Sequence, residues 1–367
     1  MRNLIKNATI IDEDGNSCTV NILIEGTSIV KVSKGDIDIP AIEYDLSGYT
    51  LMSGFINTHV HLIDCFDAFN EDKLKRWLMS GITYLRDQGI FSRNTTEEAV
   101  KWRNKIVNSS LYPSISVCGK FISSINGYGG VEPLGVSTEY EAREAVKIQI
   151  DCGVDHIKIA LDNGYDAYTQ SLDTLPFEVL SAICDETHKL GKKVSAHVNK
   201  SDKLDILLKA GIDEAAHACY DHISEDNLKF MVRNNVFMTP TLSVYGEILT
   251  NWGAPLLYGA MDNTKRFVEM GGIIGLGNDY INEKEIWSPV GMPIMEIELL
   301  QKAGLTMQQI VSAATTGGAK IIGKNNYGEI KEGYTADLIA VKGNPYEFPY
   351  LLSNVNFVMK DGIVVKQ

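Results

Sequence analysis

The periodicity of apolar residues changes twice along this chain, and that change restricts the fold more than any other feature. Over residues 1–53 and again over 324–367, apolar and polar positions alternate, as in LIKNATII, TVNILIEGTSIVKVS, TADLIAVKG and VNFVMKDGIVVKQ. A period of two marks strands buried on one face, and Lys360-Asp361-Gly362 reads as a hairpin turn between the last two. From 54 to 323 the pattern becomes short apolar runs followed by helical periods, the mark of βα units around a parallel sheet. Eight candidate strands stand there: FINTHVHL, GITYLRDQ, SISVCGKF, DHIKIAL, KVSAHVN, DEAAHAC, VFMTPTL and IIGLGND. Thr138, three residues before Glu141, has capping-box spacing, and LPFEVLSAICDETHKLG runs from Pro176 near its first turn to Gly191 past its end. Eight such units close a TIM (β/α)8 barrel. The expected fold class is therefore α/β, with the barrel over 54–323 and a small composite β-sandwich domain built from both termini, 1–53 and 324–367.

Composition permits this. A chain of 367 residues with 44% hydrophobic content can fill a barrel of roughly 250 residues and leave enough for a second unit. The net charge of −13 argues against a nucleic-acid backbone or an anionic membrane as partner. Six cysteines, Cys18, Cys65, Cys118, Cys152, Cys184 and Cys219, form no CxxC pair and are expected to be reduced thiols of a cytoplasmic protein. MRNLIKNATIIDEDG meets acidic residues before a signal-type apolar core forms, and no run reaches the ~18 apolar residues of a membrane span. The expected partner is a small-molecule substrate, with self-association into a homo-oligomer left open.

Barrel active sites lie at the C-terminal ends of the strands. GFINTHVHLID puts His59 and His61 two residues apart on one strand face, where two imidazoles can converge on a metal ion. The fourth strand carries Lys158, the fifth ends at His197, the sixth at His217 and the eighth at Asp279. Singly, each has a plain structural alternative: a satisfied histidine, or an Asp that forms a turn in GND. That alternative is kept for His156, His188 and His222. Five strands offering a ligand at one end of one barrel are harder to assign to packing. Lys158 lies inside HIKIAL, where alternation with His156 turns it into the interior. A buried ammonium is costly and loses its proton readily. Such a lysine is either paired with a carboxylate or neutral and able to react with carbon dioxide, giving a carbamate that can bridge two metals. The carbamate is the favoured reading.

In order and spacing, GFINTHVHLID, GITYLRDQG, VDHIKIALDNG, KVSAHVNK, DEAAHAC and GLGND resemble the amidohydrolase superfamily, most closely its imidazolonepropionase-like and prolidase-like branch. The likeness extends over nearly the whole chain, including the closing GEIKEGYTADLIAV. It implies two divalent metal ions. His59 and His61, with Asp279 as a further ligand, hold the more buried ion; His197 and His217 hold the more exposed one; Lys158, carboxylated by carbon dioxide, bridges both. Zinc is the expected ion for imidazole and carboxylate donors, with manganese, iron and cobalt left open by ligand type alone. The implied reaction is hydrolysis of a C–N bond in an amide, peptide-like or cyclic amide by a metal-bridging hydroxide, with Asp279 as base and then acid.

The substrate is less legible. SSINGYGGVEPLG, after the third strand, offers Asn126 and Tyr128, but lacks the histidine that prolidase-like relatives usually carry in that stretch. Tyr220 lies three residues past His217, and Trp287 is a candidate contact from the loop after the eighth strand. Arg86 either meets a substrate carboxylate or pairs with an acid to brace the barrel mouth, and bracing is preferred. Cys65 and Cys219, near the expected metals, read as small buried thiols. One rival is a mononuclear deaminase or imidazolonepropionase-type ring-opening hydrolase using His59, His61, His217 and Asp279, against which Lys158 stands. The other is a catalytically dead scaffold, against which the full ligand set stands.

Overall fold

The computed structural model describes residues 2–62, 70–163, 172–248, 255–283 and 289–367. The alternating termini form one eight-stranded sheet. Its order runs Ile363–Lys366, Phe357–Lys360, Leu338–Lys342, Tyr49–Ser53, Arg2–Ile11, Ser17–Glu25 and Ser28–Ser33, with Ile42–Asp45 also paired to Arg2–Ile11. The two ends of the chain meet where Tyr49–Ser53 runs antiparallel to Leu338–Lys342. Where a sandwich of two sheets was expected, the ladder is continuous and curls. Ile29 N donates to Tyr334 O at 2.9 Å and Gly333 N to Ile29 O at 2.8 Å, tying one edge back to the chain before Leu338. Ile5, Val20, Ile22, Leu51, Leu338 and Phe357 fill that curl as a core of their own. The hairpin turn falls at Asp361 and Gly362, whose φ values of 51° and 73° suit a mirror-image turn.

Just before that turn, Lys360 is buried and its ammonium meets Asp337 at 3.1 Å and Asp361 at 2.7 Å. Asp337 also accepts from Asp361 N at 2.7 Å and from the Tyr327 hydroxyl. Burial pushes the Asp337 carboxyl up to about 6, against the pull of Lys360. The Asp337 carbonyl accepts from Gly54 N at 2.8 Å, so this ionic knot also positions the start of the first central strand.

In the central part, Phe55–Val60 pairs in parallel with Ile82–Asp87, and that strand with Ser114–Ser116. Ile157–Ala160, Val194–His197, Glu214–Ala215 and Phe237–Met238 also pair in parallel, in that order. Asp155 N donates to Val117 O at 2.8 Å, linking the third segment to the fourth. Met238 bridges Ile274 and Val60 bridges Tyr280, both in parallel. Eight segments thus follow one another around a ring, and the eighth returns to the first. This eighth segment, IIGLGND, is held by isolated bridges and single hydrogen bonds where a regular strand was expected. Its glycines press backbone against neighbours: a Cβ at Gly277 would lie 2.7 Å from His59 Cβ and 2.6 Å from Thr239 Cγ2.

The connecting helices obey their local signals. Thr138 Oγ1 accepts from Glu141 N at 3.2 Å while Glu141 Oε2 accepts from Thr138 N at 3.1 Å, completing the capping box of Glu139–Cys152. Pro176 takes the cap position of Phe177–Lys189, next to its first turn as expected. Among the described residues no helix is long and apolar enough to cross a membrane, and the five described cysteines are free. Cys65 lies outside the described residues.

Asp337→Ala strands the buried Lys360 ammonium with only the half-exposed Asp361. The expected cost is about 3 kcal/mol, read as a fall in the urea denaturation midpoint. The paired change Asp337→Leu with Lys360→Met is expected to recover most of it.

Candidate metal centre

Strand register brings the six side chains into one dry interior: His59, His61, Lys158, His197 and His217 are each at most 4% exposed, and Asp279 is 8% exposed. Asp279 N donates to His59 O at 3.0 Å, which fixes the eighth segment beside the first strand. The Asp279 backbone has φ +51°, a left-handed conformation that costs a non-glycine residue free energy. Its Oδ1 lies 3.2 Å from His59 Nε2 and 3.0 Å from His61 Nε2. The donor atoms of the three residues all lie within 4.8 Å of one another.

His61 Nδ1 lies 2.7 Å from Gly89 O, a carbonyl that can only accept, so Nδ1 holds a proton, and the Asp279 carboxylate stands at the ring's other nitrogen. Neither ring nitrogen of His59 has a hydrogen-bond partner, and burial pushes that imidazole down to about 3, so it is neutral. Burial opposes the Asp279 charge, yet His59 and His61 beside it hold the carboxyl well below its usual range. Two imidazole nitrogens and a carboxylate oxygen converging in a buried pocket are a donor set that suits a divalent cation.

A second pair stands alongside, with the His59 and His217 ring centroids 4.8 Å apart. His197 Nδ1 and His217 Nε2 are 2.8 Å apart. The outer nitrogens are held too: His217 Nδ1 lies 2.7 Å from Thr241 Oγ1, and His197 Nε2 lies 3.3 Å from Asp162 Oδ2 and 2.9 Å from Asn199 Nδ2. Burial lowers both imidazoles, His217 well below the ordinary value.

Among the described residues Lys158 Nζ has no hydrogen-bond partner, and it lies 5.8 Å from the centre of the Phe121 ring. Burial pushes it down to about 8, while Glu214 pulls the other way. Its charge bears on His59, His197 and His217, which places the amine among them.

The remaining candidates divide. Arg86 is not free to meet a substrate: it is 3% exposed and its guanidinium grips Glu214 at 2.5 Å. Burial pushes Glu214 up, but the Arg86 charge and a 2.6 Å bond from Thr239 Oγ1 bring it below the ordinary carboxyl value. Asn126 is exposed and donates to Asp173 at 3.3 Å, in the segment that leads into Phe177–Lys189. Tyr128 stacks on His197 at 4.1 Å, and Tyr220 is half-buried with its hydroxyl held by Lys200. Trp287 lies outside the described residues. Cys219 is a buried thiol with its pKa pushed well up by that burial. His188 is spent on Asp213 and His222 contacts Arg266.

Asp162, Asn199, Thr241 and Glu214 were not anticipated. Alternation reaches two of them, since Asp162 follows Lys158 by four residues and Asn199 follows His197 by two. Glu214 precedes His217 by three, which places it on the wrong face by strict alternation; the ladder ends at Ala215 and the rule lapses there.

The sequence profile of the amidohydrolase family matches residues 50–366. An ochratoxinase of Aspergillus niger is 28% identical over 239 residues, covering 60% of this chain and 48% of its own, so the match spans about half of that relative. An imidazolonepropionase of Porphyromonas gingivalis is 23% identical over 369 residues, covering 88% of this chain and 82% of its own. Among solved structures, a Xaa-Pro dipeptidase with methionine bound in its active site superposes with a TM-score of 0.86 at 23% identity, over the full length of both chains. That last likeness is one of fold.

Arg86→Met leaves Glu214 buried and unpaired, with an expected loss of about 3–5 kcal/mol, seen as a lower denaturation midpoint or insoluble expression. Arg86→Met with Glu214→Gln is expected to restore much of the stability, a rescue that a substrate-binding arginine does not give.

Proposed function

Since this chain belongs to the amidohydrolase family, we propose that it is a metal-dependent hydrolase of a C–N bond in an amide, peptide-like or cyclic amide substrate. Its ring over 54–323 is read as a TIM (β/α)8 barrel, and 1–53 with 324–367 as a composite β domain. The observation that carries the reading is the buried convergence of His59, His61 and Asp279 within 4.8 Å, beside a lysine amine without a partner among the described residues. His59, His61 and Asp279 would hold one divalent cation and His197 with His217 a second, zinc suiting both donor sets. Lys158, with its pKa brought to about 8, keeps a neutral fraction able to attack carbon dioxide. There a new N–C bond would form with loss of a proton, and the resulting anionic carbamate would add oxygen donors to the site. Cations held by these residues would supply Lewis acidity towards a water and the scissile carbonyl.

The chain's own residues do the rest. Asp279, ionised beside the two imidazoles, accepts a proton from the attacking water at its carboxylate and returns it to the departing nitrogen. Gly89 O holds a His61 proton at Nδ1. Tyr128 and Tyr220 border the His197 side, where they are proposed to meet the substrate. Burial of all six groups excludes bulk water and strengthens each electrostatic contact.

The test couples metal analysis to a hydrolysis screen of N-acyl amino acids, dipeptides, hydantoins and lactams. Two equivalents of metal and turnover of one class are expected after expression with zinc and bicarbonate. One equivalent favours the mononuclear ring-opening rival, and no turnover after reconstitution removes the reading. Lys158→Ala is expected to cut activity about 100-fold, with short carboxylic acids restoring part of it. Asp279→Asn is expected to lower kcat by about 10²–10⁴-fold.

A further inference from the structure

The two histidine clusters differ in what they do without a cation. His197 and His217 satisfy each other, because one N–H placed between Nδ1 and Nε2 makes a hydrogen bond at 2.8 Å. A cation can be gripped by that pair only when both facing nitrogens are lone pairs. Each neutral ring then has to carry its single proton on the outer edge, at His217 Nδ1 towards Thr241 Oγ1 and at His197 Nε2 towards Asp162 Oδ2. The proton shifts within a ring by exchange with water, and neither ring gains or loses charge.

What surrounds His197 Nε2 offers both choices. The Asp162 carboxylate, 6% exposed, can only accept. The Asn199 amide nitrogen, 2.9 Å from the same Nε2, can only donate. The direction of that amide is set from its far side, because the Tyr245 hydroxyl donates to Asn199 Oδ1. Asn199 Nδ2 in turn donates to Asp162 Oδ2 at 2.6 Å and holds the carboxylate in place. Asp162, Asn199 and His197 lie on two neighbouring parallel strands or just beyond their ends, so the arrangement is built on the rigid part of the fold.

On the premise of the metal-dependent reading above, we infer that Asp162 is the positioning residue that makes the His197/His217 pair a cation site, while Asn199 supports the metal-free tautomer of the same ring. This pair is then a fillable half-site that closes on itself when empty. The His59/His61/Asp279 cluster is built differently, with two imidazole nitrogens meeting a single carboxylate oxygen, Asp279 Oδ1, at 3.2 Å and 3.0 Å.

The experiment is a zinc titration of the stripped full-length protein by calorimetry, with histidine ¹⁵N NMR to read which ring nitrogen is protonated. Wild type is expected to bind two equivalents, with His197 protonated at Nε2 when loaded. Asp162→Ala is expected to keep the first equivalent and to weaken the second by about 10–100-fold. Retention of the first equivalent shows that the variant is folded. Asp162→Asn keeps an accepting oxygen and is expected to weaken the second by less, and it carries the test if the alanine variant does not fold. Two unchanged equivalents in both variants, or a loaded His197 still protonated at Nδ1, overturns this inference alone. A wild type that binds one equivalent overturns it together with the binuclear reading.

Discussion

A lysine amine 1% exposed, set among imidazoles and without a hydrogen-bond partner among the described residues, is the constraint around which the central ring is arranged. Register puts it there: Lys158 stands opposite Ser195, and Ser195 opposite Glu214, across three neighbouring strands. Glu214 is the carboxylate that bears most on the amine, yet it is spent on Arg86 and Thr239. Among the described residues the amine has no carboxylate within hydrogen-bond reach, so a plain lysine–carboxylate pair is not formed there. An amine so placed is driven towards the neutral form by burial, and a neutral amine is a nucleophile.

Arg86 and Glu214 give that interior its floor. A buried ion pair is weak evidence for stability, because desolvation consumes most of the Coulombic gain. Its use here is geometric. It neutralises the acid that bears most on Lys158, and it ties the second strand to the sixth across the ring. A similar device acts at the ring's entrance, where Lys360 and Asp337 are buried and Asp337 O receives Gly54 N immediately before the first central strand. The terminal sheet and the ring are thereby joined at the residue from which the His59 strand departs.

Much of this was legible because it depends on period and order. Alternation placed His59, His61 and Lys158 inward, and hairpin and capping signals at Lys360-Asp361-Gly362 and Thr138/Glu141 act locally, so they need no knowledge of the remaining chain. What was not legible depends on departures from those periods. The eighth segment reads as a strand but is glycine backbone pressed against His59, and Glu214 turns inward where its ladder ends. Arg86 carries the same kind of ambiguity: its residue type fits a substrate carboxylate or a buried acid equally well, and only the position of Glu214 decides. Asn126 belongs to a loop whose direction no periodicity encodes, and it turned to Asp173.

The two halves of the centre are unequal in a way that follows from hydrogen-bond energetics. A buried acceptor left unsatisfied costs about 1–3 kcal/mol. Without a cation, the His59 half carries that cost at His59 Nδ1, while Asp279 also bears a strained backbone. The His197 half carries little of it, since all four of its ring nitrogens have contacts within 3.3 Å. On the proposed two-cation reading, binding at the second half would have to break the bond between His197 and His217, so that half would set the cation concentration at which the centre becomes complete.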